Sequence, residues 1–198
     1  MTLCLLVRHA THDLVDQVLV GRMAGVSLGS EGRRQAASLA QTASTLGVTC
    51  VQSSPRERAL ETAAPIARRL DLPVEICPEL DELDFGHWTG RSFMELSSDP
   101  DWCLWNAQRG RMRAPGGESM AEAQARIIRH LQTVSEVGPY GPIIMVTHAE
   151  IIRAALLHCM SLPLGAWHQI EVEPASITLV QMGFGGHTSF NFGGEAAE

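Results

Sequence analysis

Apolar runs of strand length alternating with amphipathic stretches of helix length predict an α/β fold, a three-layer sandwich around a mainly parallel sheet. Three observations carry that prediction. Leu3-Cys4-Leu5-Leu6-Val7 and Ile143-Ile144-Met145-Val146-Thr147 are near-continuous apolar runs, the pattern of strands covered on both faces. Each run ends at a histidine, His9 after Arg8 in the first case and His148 in the second. Between them, two apolar stripes recur at the three-to-four-residue spacing of a helix laid on a sheet. Ligands of such sheets bind beyond the carboxyl ends of the strands, so both histidines are expected at one site.

Taken in order, the first run is a strand, and His12 to Gly29 is an ordered loop over the site. Ser30 caps a helix whose buried face is Ala36, Leu39, Ala40, Ala43 and Leu46, and Gly47 ends it. Val48 to Gln52 is the next strand. Ser54 then caps, and Pro55 opens, a helix that carries Arg56 and Arg58 in its first turn and runs to Leu70, kinked at Pro65. Pro73 to Ile76 is a short strand, and Pro78 to Gly90 a loop holding Glu79, Asp81, Glu82 and Asp84. Arg91 to Pro115 has only a weak pattern and reads as an excursion anchored by Trp102 and Trp105. Ser119 with Glu122 makes a capping box for a long helix, buried along Met120, Ala123, Ile127, Leu131 and Val134 and stopped by Gly138-Pro139. The second histidine strand, an apolar helix over Ile151 to Met160, a strand over Ala175 to Met182 and an edge strand over Ser189 to Phe192 complete the chain.

The 198 residues suffice for one α/β domain, expected over 1–192, with a disordered tail over 193–198. Hydrophobic residues are 45% and charged residues 19%, the balance of a soluble globular protein. Acidic side chains outnumber basic ones, 22 to 15, which excludes a nucleic-acid partner held by bulk charge. No apolar run nears the roughly 18 residues of a membrane span. Met1 to Val7 lacks a basic leader and reads as mature protein. Five scattered cysteines (Cys4, Cys50, Cys77, Cys103, Cys159) fit reduced thiols in a cytoplasm and no zinc cage. No metal or other cofactor is expected. An edge strand near Phe190 leaves room for pairing between copies.

The chemistry gathers at one sheet edge: His9, His148, Arg8, an arginine of the 56–58 turn, and the acidic loop. Arginines at a helix N-terminus oppose its dipole unless an anion sits there. A phosphomonoester carries nearly two negative charges, which fixed cations must offset before a nucleophile approaches. A neutral imidazole can take the phosphoryl group covalently, and the departing alkoxide needs a proton from a carboxyl group of raised pKa. Phe85, Trp88 and the neighbouring acids can supply the desolvation and like-charge repulsion that raise it. Spacing alone does not choose between Arg56 and Arg58, nor among the four acids.

Five blocks in order resemble the histidine phosphatase superfamily, the group that includes phosphoglycerate mutases and acid phosphatases. They are Leu6-Val7-Arg8-His9; Gly32-x-x-Gln35-Ala36; Ser53-Ser54 with Arg58-Ala59-x-x-Thr62-Ala63; Glu79-Leu80-x-Glu82-x-x-Phe85-Gly86-x-Trp88-x-Gly90; and Pro115-Gly116-Gly117-Glu118-Ser119 with Val146-Thr147-His148. The resemblance implies a phosphoglycerate mutase-like fold, with His9 as the phosphorylated nucleophile and Glu82 as general acid. It also implies that Arg8, Arg58 and His148 hold the phosphoryl oxygens, and that Arg22, Glu118 and Ser119 touch the substrate. The family usually has glycine after the histidine, then glutamate and threonine, and an asparagine a few residues on. Here Ala10-Thr11-His12-Asp13 stands instead, and Thr11 or His12 is left to substitute for the asparagine.

The expected function is hydrolysis of a small phosphorylated metabolite through a phosphohistidine. Mutase-type transfer is the first alternative, but the mutases carry a long insertion where Arg91 to Ala114 is compact. A metal enzyme using His9, His12 and His148 is disfavoured because the adjacent arginine repels a cation. A non-catalytic phospho-ligand binding module on the same fold is the third alternative.

Overall fold

Strand β1 (Thr2–Arg8) lies inside a six-stranded sheet of order β3-β2-β4-β1-β5-β6 in the computed structural model, which describes residues 2–137, 141–182 and 188–193. Strands β2 (Cys50–Ser53), β3 (Val74–Ile76) and β4 (Ile143–Thr147) run parallel with β1. Strands β5 (Ile177–Met182) and β6 (Thr188–Gly193) add an antiparallel pair at the far side of β1. The sheet is thus mostly parallel, and the expected edge strand is β6.

Pleating divides the core. Leu5 and Val7 of β1 and Ile144 and Val146 of β4 point to one face. They pack under α1 (Ser30–Ala43) and α2 (Glu57–Leu70) against Leu39, Ala43, Ala59, Ala63 and Ile66. Cys4, Leu6, Ile143 and Met145 point the other way, under α5 (Met120–Val137) and α6 (Ala149–Cys159). Each aliphatic side chain buried this completely contributes about 1.5–3 kcal/mol, so the two strands are covered twice over. That is why they read as continuous apolar runs.

Local structure differs from the sequence reading most clearly at the ends of the first two helices and in the excursion. Helix α1 takes Gly29, not Ser30, as its N-cap, with no side-chain cap. It stops at Ala43 because the hydroxyls of Ser44 and Thr45 donate to the carbonyls of Gln41 and Thr42, leaving Leu46 exposed before Gly47 at φ +64°. Helix α2 begins at Glu57 with Arg56 as N-cap; Ser54 lies ahead of the cap, its hydroxyl accepting from the Arg56 amide at 3.3 Å as well as bonding within the site. Pro65 lies inside α2 without ending it. The excursion folds into α3 (Phe93–Ser97) and α4 (Pro100–Ala107), started by a Ser92–Glu95 capping box and by Asp99 ahead of Pro100. Trp105 is fully buried there, stacked on Trp102 at 5.3 Å and edge-on to Phe85 and Trp88.

The Ser119–Glu122 capping box of α5 is present, and its expected stripe is buried. Gly193, expected to begin the tail, belongs to β6, while 194–198 and the Gly138-Pro139 stop lie outside the described residues. No helix among the described residues is long and apolar enough to cross a membrane.

Candidate active site

Register builds the site. Arg8 pairs with Thr147 across β1 and β4, so His9 and His148 leave the sheet side by side at its carboxyl edge. The His9 amide donates to the Thr147 carbonyl at 2.9 Å, and the Ser54 amide to the Val146 carbonyl at 2.9 Å. Three strand ends are thereby held together before any side chain is considered.

The loop after His9 is then fixed from two helices. Ala10 does not take a positive φ, so alanine fits where the family usually has glycine. Its amide donates to Thr62 Oγ1 at 3.0 Å, and Thr62 in turn donates to the Arg58 carbonyl at 2.7 Å. The Thr11 amide donates to Gln35 Oε1 at 2.9 Å. Gly32 lets α1 approach that closely: a Cβ there would stand 2.0 Å from the Thr11 carbonyl oxygen. The Gly32-x-x-Gln35 and Thr62 blocks therefore hold the strand-end turn.

His9 is buried, and its Nδ1 lies 2.8 Å from the Ala10 carbonyl oxygen. A carbonyl only accepts, so Nδ1 carries the proton and Nε2 keeps its lone pair. Arg58 Nε donates to that Nε2 at 3.2 Å. The same guanidinium donates through Nη2 to His148 Nδ1 at 3.1 Å and to the Gly21 carbonyl at 2.7 Å. His148 must then carry its proton on Nε2, which donates to Ser54 Oγ at 2.7 Å. Both imidazoles are held well below their ordinary pKa, first by burial and next by the Arg58 charge, and are neutral.

Arg8, His9, Arg58 and Glu82 line one cavity of about 210 Å³. Arg58 Nη1 and Arg8 Nε are buried there without a hydrogen-bond partner among the described residues. Such donors fit the oxygens of an anion. His148 does not line the cavity; it is fully buried beside it, its ring edge-on to His9 at 5.2 Å.

Of the four loop acids only Glu82 faces the cavity. Burial pushes its carboxyl up to about 7, followed by repulsion from Glu150. The repulsion thus comes from α6, not from the acid loop as expected. Asp81 pairs with Arg56 Nε at 2.9 Å and accepts from Ser54 Oγ at 3.4 Å. Asp84 Oδ1 accepts from the Gly86 amide, and Glu79 is exposed. Arg56 is thereby engaged elsewhere, and Arg58 is the arginine at the histidines.

Arg22, Glu118 and Ser119 do not line this cavity. Arg22 donates to the Glu82 carbonyl at 2.7 Å and to Glu118 Oε2 at 3.0 Å, and Arg126 holds the same carboxylate at 2.9 Å. Ser119 is occupied as the cap of α5. These residues brace the acid loop from outside. Gly86, at φ +52°, completes the brace: a Cβ there would lie 2.1 Å from the Pro115 carbonyl oxygen. The Pro115-Gly116-Gly117 turn and the acid loop touch backbone to backbone, with the Glu118 amide donating to the Asp84 carbonyl at 2.8 Å.

His12, weighed at the sequence level beside Thr11, lines the cavity and stacks on His9 at 5.5 Å, whereas Thr11 does not line it. Burial lowers the His12 pKa to about 4, helped by Arg58 and Arg8. Glu150 and Arg153 also line the cavity and were not expected there. A signal existed, since they are charged neighbours at i,i+3 in an otherwise apolar helix. Among the described residues no cluster of three histidine, cysteine or acidic side chains could hold a metal ion.

A bifunctional protein of Mycobacterium tuberculosis is 29% identical over 182 residues, 91% of this chain and 50% of that protein, so the chain spans half that relative's length. Phosphoserine phosphatase 1 of Hydrogenobacter thermophilus is 28% identical over 187 residues, 92% of this chain and 87% of that protein. The fold superimposes on a mycobacterial glucosyl-3-phosphoglycerate phosphatase with TM-score 0.86 at 23% identity, covering 96% of this chain and 97% of the other. The model of the histidine phosphatase superfamily, branch 1, matches residues 4–191, and the chain belongs to that family.

Proposed function

We propose that the chain hydrolyses a small phosphomonoester through a phosphohistidine on His9. The observation that carries this reading is the His9 tautomer, which leaves Nε2 unprotonated at a cavity lined by arginines and by a carboxyl group of raised pKa. Arg8 and Arg58 hold the phosphoryl oxygens, and His148, which accepts from Arg58, keeps that guanidinium in place from beside the cavity. The lone pair of Nε2 attacks phosphorus, the P–O bond to the organic group breaks, and the alkoxide takes the proton of Glu82. Glu82, now ionised, takes a proton from a water that attacks phosphorus; the N–P bond breaks and inorganic phosphate leaves. The phosphatase name of a relative matched over most of both chains supports a phosphorylated metabolite as substrate.

The test is phosphate release from p-nitrophenyl phosphate and from metabolite esters by wild type and His9→Ala. Turnover in the wild type and its abolition in the variant are expected, together with an acid-labile phosphoenzyme on His9. Isomerised phosphoglycerate without free phosphate would establish mutase-type transfer instead. Binding of esters without turnover in the wild type would establish a phospho-ligand module.

A further inference from the structure

His12 lines the cavity beside His9, and the proposed reaction gives it no part. It is buried, and a local turn fixes its ring: the Leu14 amide donates to Nδ1 at 3.3 Å, and the Val15 amide donates to the His12 carbonyl at 3.1 Å. An amide N–H only donates, so Nδ1 is the bare nitrogen and the proton of the neutral ring sits on Nε2. His9 has the opposite arrangement, its proton on Nδ1 and its Nε2 bare. The His12 ring is neutral because burial, followed by the charges of Arg58 and Arg8, holds its pKa at about 4. Asp13 and Asp16 pull the other way, yet neither accepts a hydrogen bond from it. The Nε2–H group therefore has no partner among the described residues.

A histidine packed for stability alone would have both nitrogens answered, since an unmet donor inside a protein is costly. What this donor meets follows from its neighbours. Arg8 Nε and Arg58 Nη1 are buried at the same cavity, also without a partner among the described residues. Together with His12 Nε2 they can supply one donor to each of the three non-bridging oxygens of a phosphoryl group. Stacking gives the reach: the His9 and His12 rings lie 5.5 Å apart and 23° from parallel. One P–O bond standing off the line of attack, plus a hydrogen bond to its oxygen, spans roughly 4–5 Å, which falls within that separation.

Resting on the phosphohistidine reading above, we infer that His12 binds the phosphoryl group itself, donating from Nε2–H to a non-bridging oxygen during transfer to and from His9. It works as a neutral donor and moves no proton. The turn at Leu14 and Val15 sets its tautomer before any substrate arrives, so the donor costs no rearrangement at the moment of reaction.

The test compares His12→Phe, which keeps a flat ring beside His9 and removes the donor, with His12→Gln, which returns an N–H. On p-nitrophenyl phosphate and on an alkyl phosphate, His12→Phe is expected to lower kcat/KM by the same factor, roughly 10- to 100-fold, the scale of a hydrogen bond to a charged group. Inhibition by orthovanadate, a mimic of the phosphoryl group, weakens by a comparable factor, and His12→Gln recovers part of each loss. The common factor identifies the phosphoryl oxygens, which both esters share, whereas loss of the proton donor falls mainly on the alkyl ester. Partial misfolding lowers kcat alone and leaves KM and the orthovanadate constant of the remaining enzyme unchanged. An orthovanadate constant unaltered in His12→Phe overturns the inference whatever happens to kcat, and so does a nitrogen-15 NMR spectrum of the wild type that puts the His12 proton on Nδ1. If the wild type hydrolyses neither ester, the phosphatase reading fails by itself. His12 is then judged by calorimetric titration of inorganic phosphate: weaker binding in His12→Phe than in the wild type upholds the inference, and equal affinities or no binding to the wild type overturn it.

Discussion

Arg58 bonds both imidazoles at once, and that one side chain divides the work between them. By donating to His9 Nε2 it favours the neutral ring with its lone pair toward the cavity, the form a nucleophile needs. By donating to His148 Nδ1 it sends the other proton to Ser54. Glu82 complements this with the opposite requirement, a proton kept at neutral pH. Its carboxyl sits at about 7, so kcat/KM for an alkyl phosphate is expected to fall as pH rises above 7, while His9, held well below its ordinary value, keeps its lone pair through pH 6. Glu82→Gln should remove that basic limb and slow alkyl esters by roughly 100-fold, with a much smaller loss for p-nitrophenyl phosphate, whose leaving group needs no proton. Equal losses on the two esters would take the acid role away from Glu82.

At the scale of elements, the acid loop is held in place by its glycines as well as by the carboxylates around it. Adding one methyl group at Gly86 meets the Pro115 carbonyl and forces an L side chain to positive φ. Gly86→Ala is expected to destabilise the protein by at least about 2 kcal/mol, measured by denaturant unfolding, and to lower kcat on every ester alike. A neutral result would mean that the turn at 115–117 yields more easily than backbone contact allows. This also shows where the sequence was readable. Strands β1 and β4 were plain because both faces are buried, and α5 because its cap and stripe agree. The excursion was not: Ser92–Glu95 and Asp99-Pro100 start α3 and α4, but their Phe93, Trp102 and Trp105 pack into one aromatic cluster with Phe85 and Trp88 instead of marking one helix face. Nor could spacing separate Glu82 from Asp81, because adjacent residues of an irregular loop point wherever their partners, here Arg56 and Ser54 for Asp81, draw them. Glu118 and Ser119, expected to touch the substrate, lie outside the cavity lining, and spacing could not show that their motif braces the acid loop from behind.

For the molecule as a whole, the buried neutral histidines set the acid limit of stability. His9, His12 and His148 bind protons more weakly folded than unfolded, so the stability they contribute is present above about pH 6.5 and is lost as pH falls below it. Glu82 acts in the opposite sense, contributing stability below its ordinary carboxyl value that is lost as pH rises through about 7. Three groups outweigh one, so the unfolding temperature should drop between pH 7 and pH 5. His12→Gln should flatten that slope, as read by calorimetry; an unaltered slope would exclude His12 from the balance.

The placement of β1 has a consequence for how the protein comes into being. Residues 2–8 are made well before their hydrogen-bonding neighbours on either side, β4 and β5, at 143–147 and 177–182. During synthesis the His9 ring therefore waits for β4 and β5 with nothing to aim it. The proposed phosphoryl chemistry requires β4 and β5 to have closed on the first strand, so a polypeptide ended before them is expected to carry the early motifs and to remain inert.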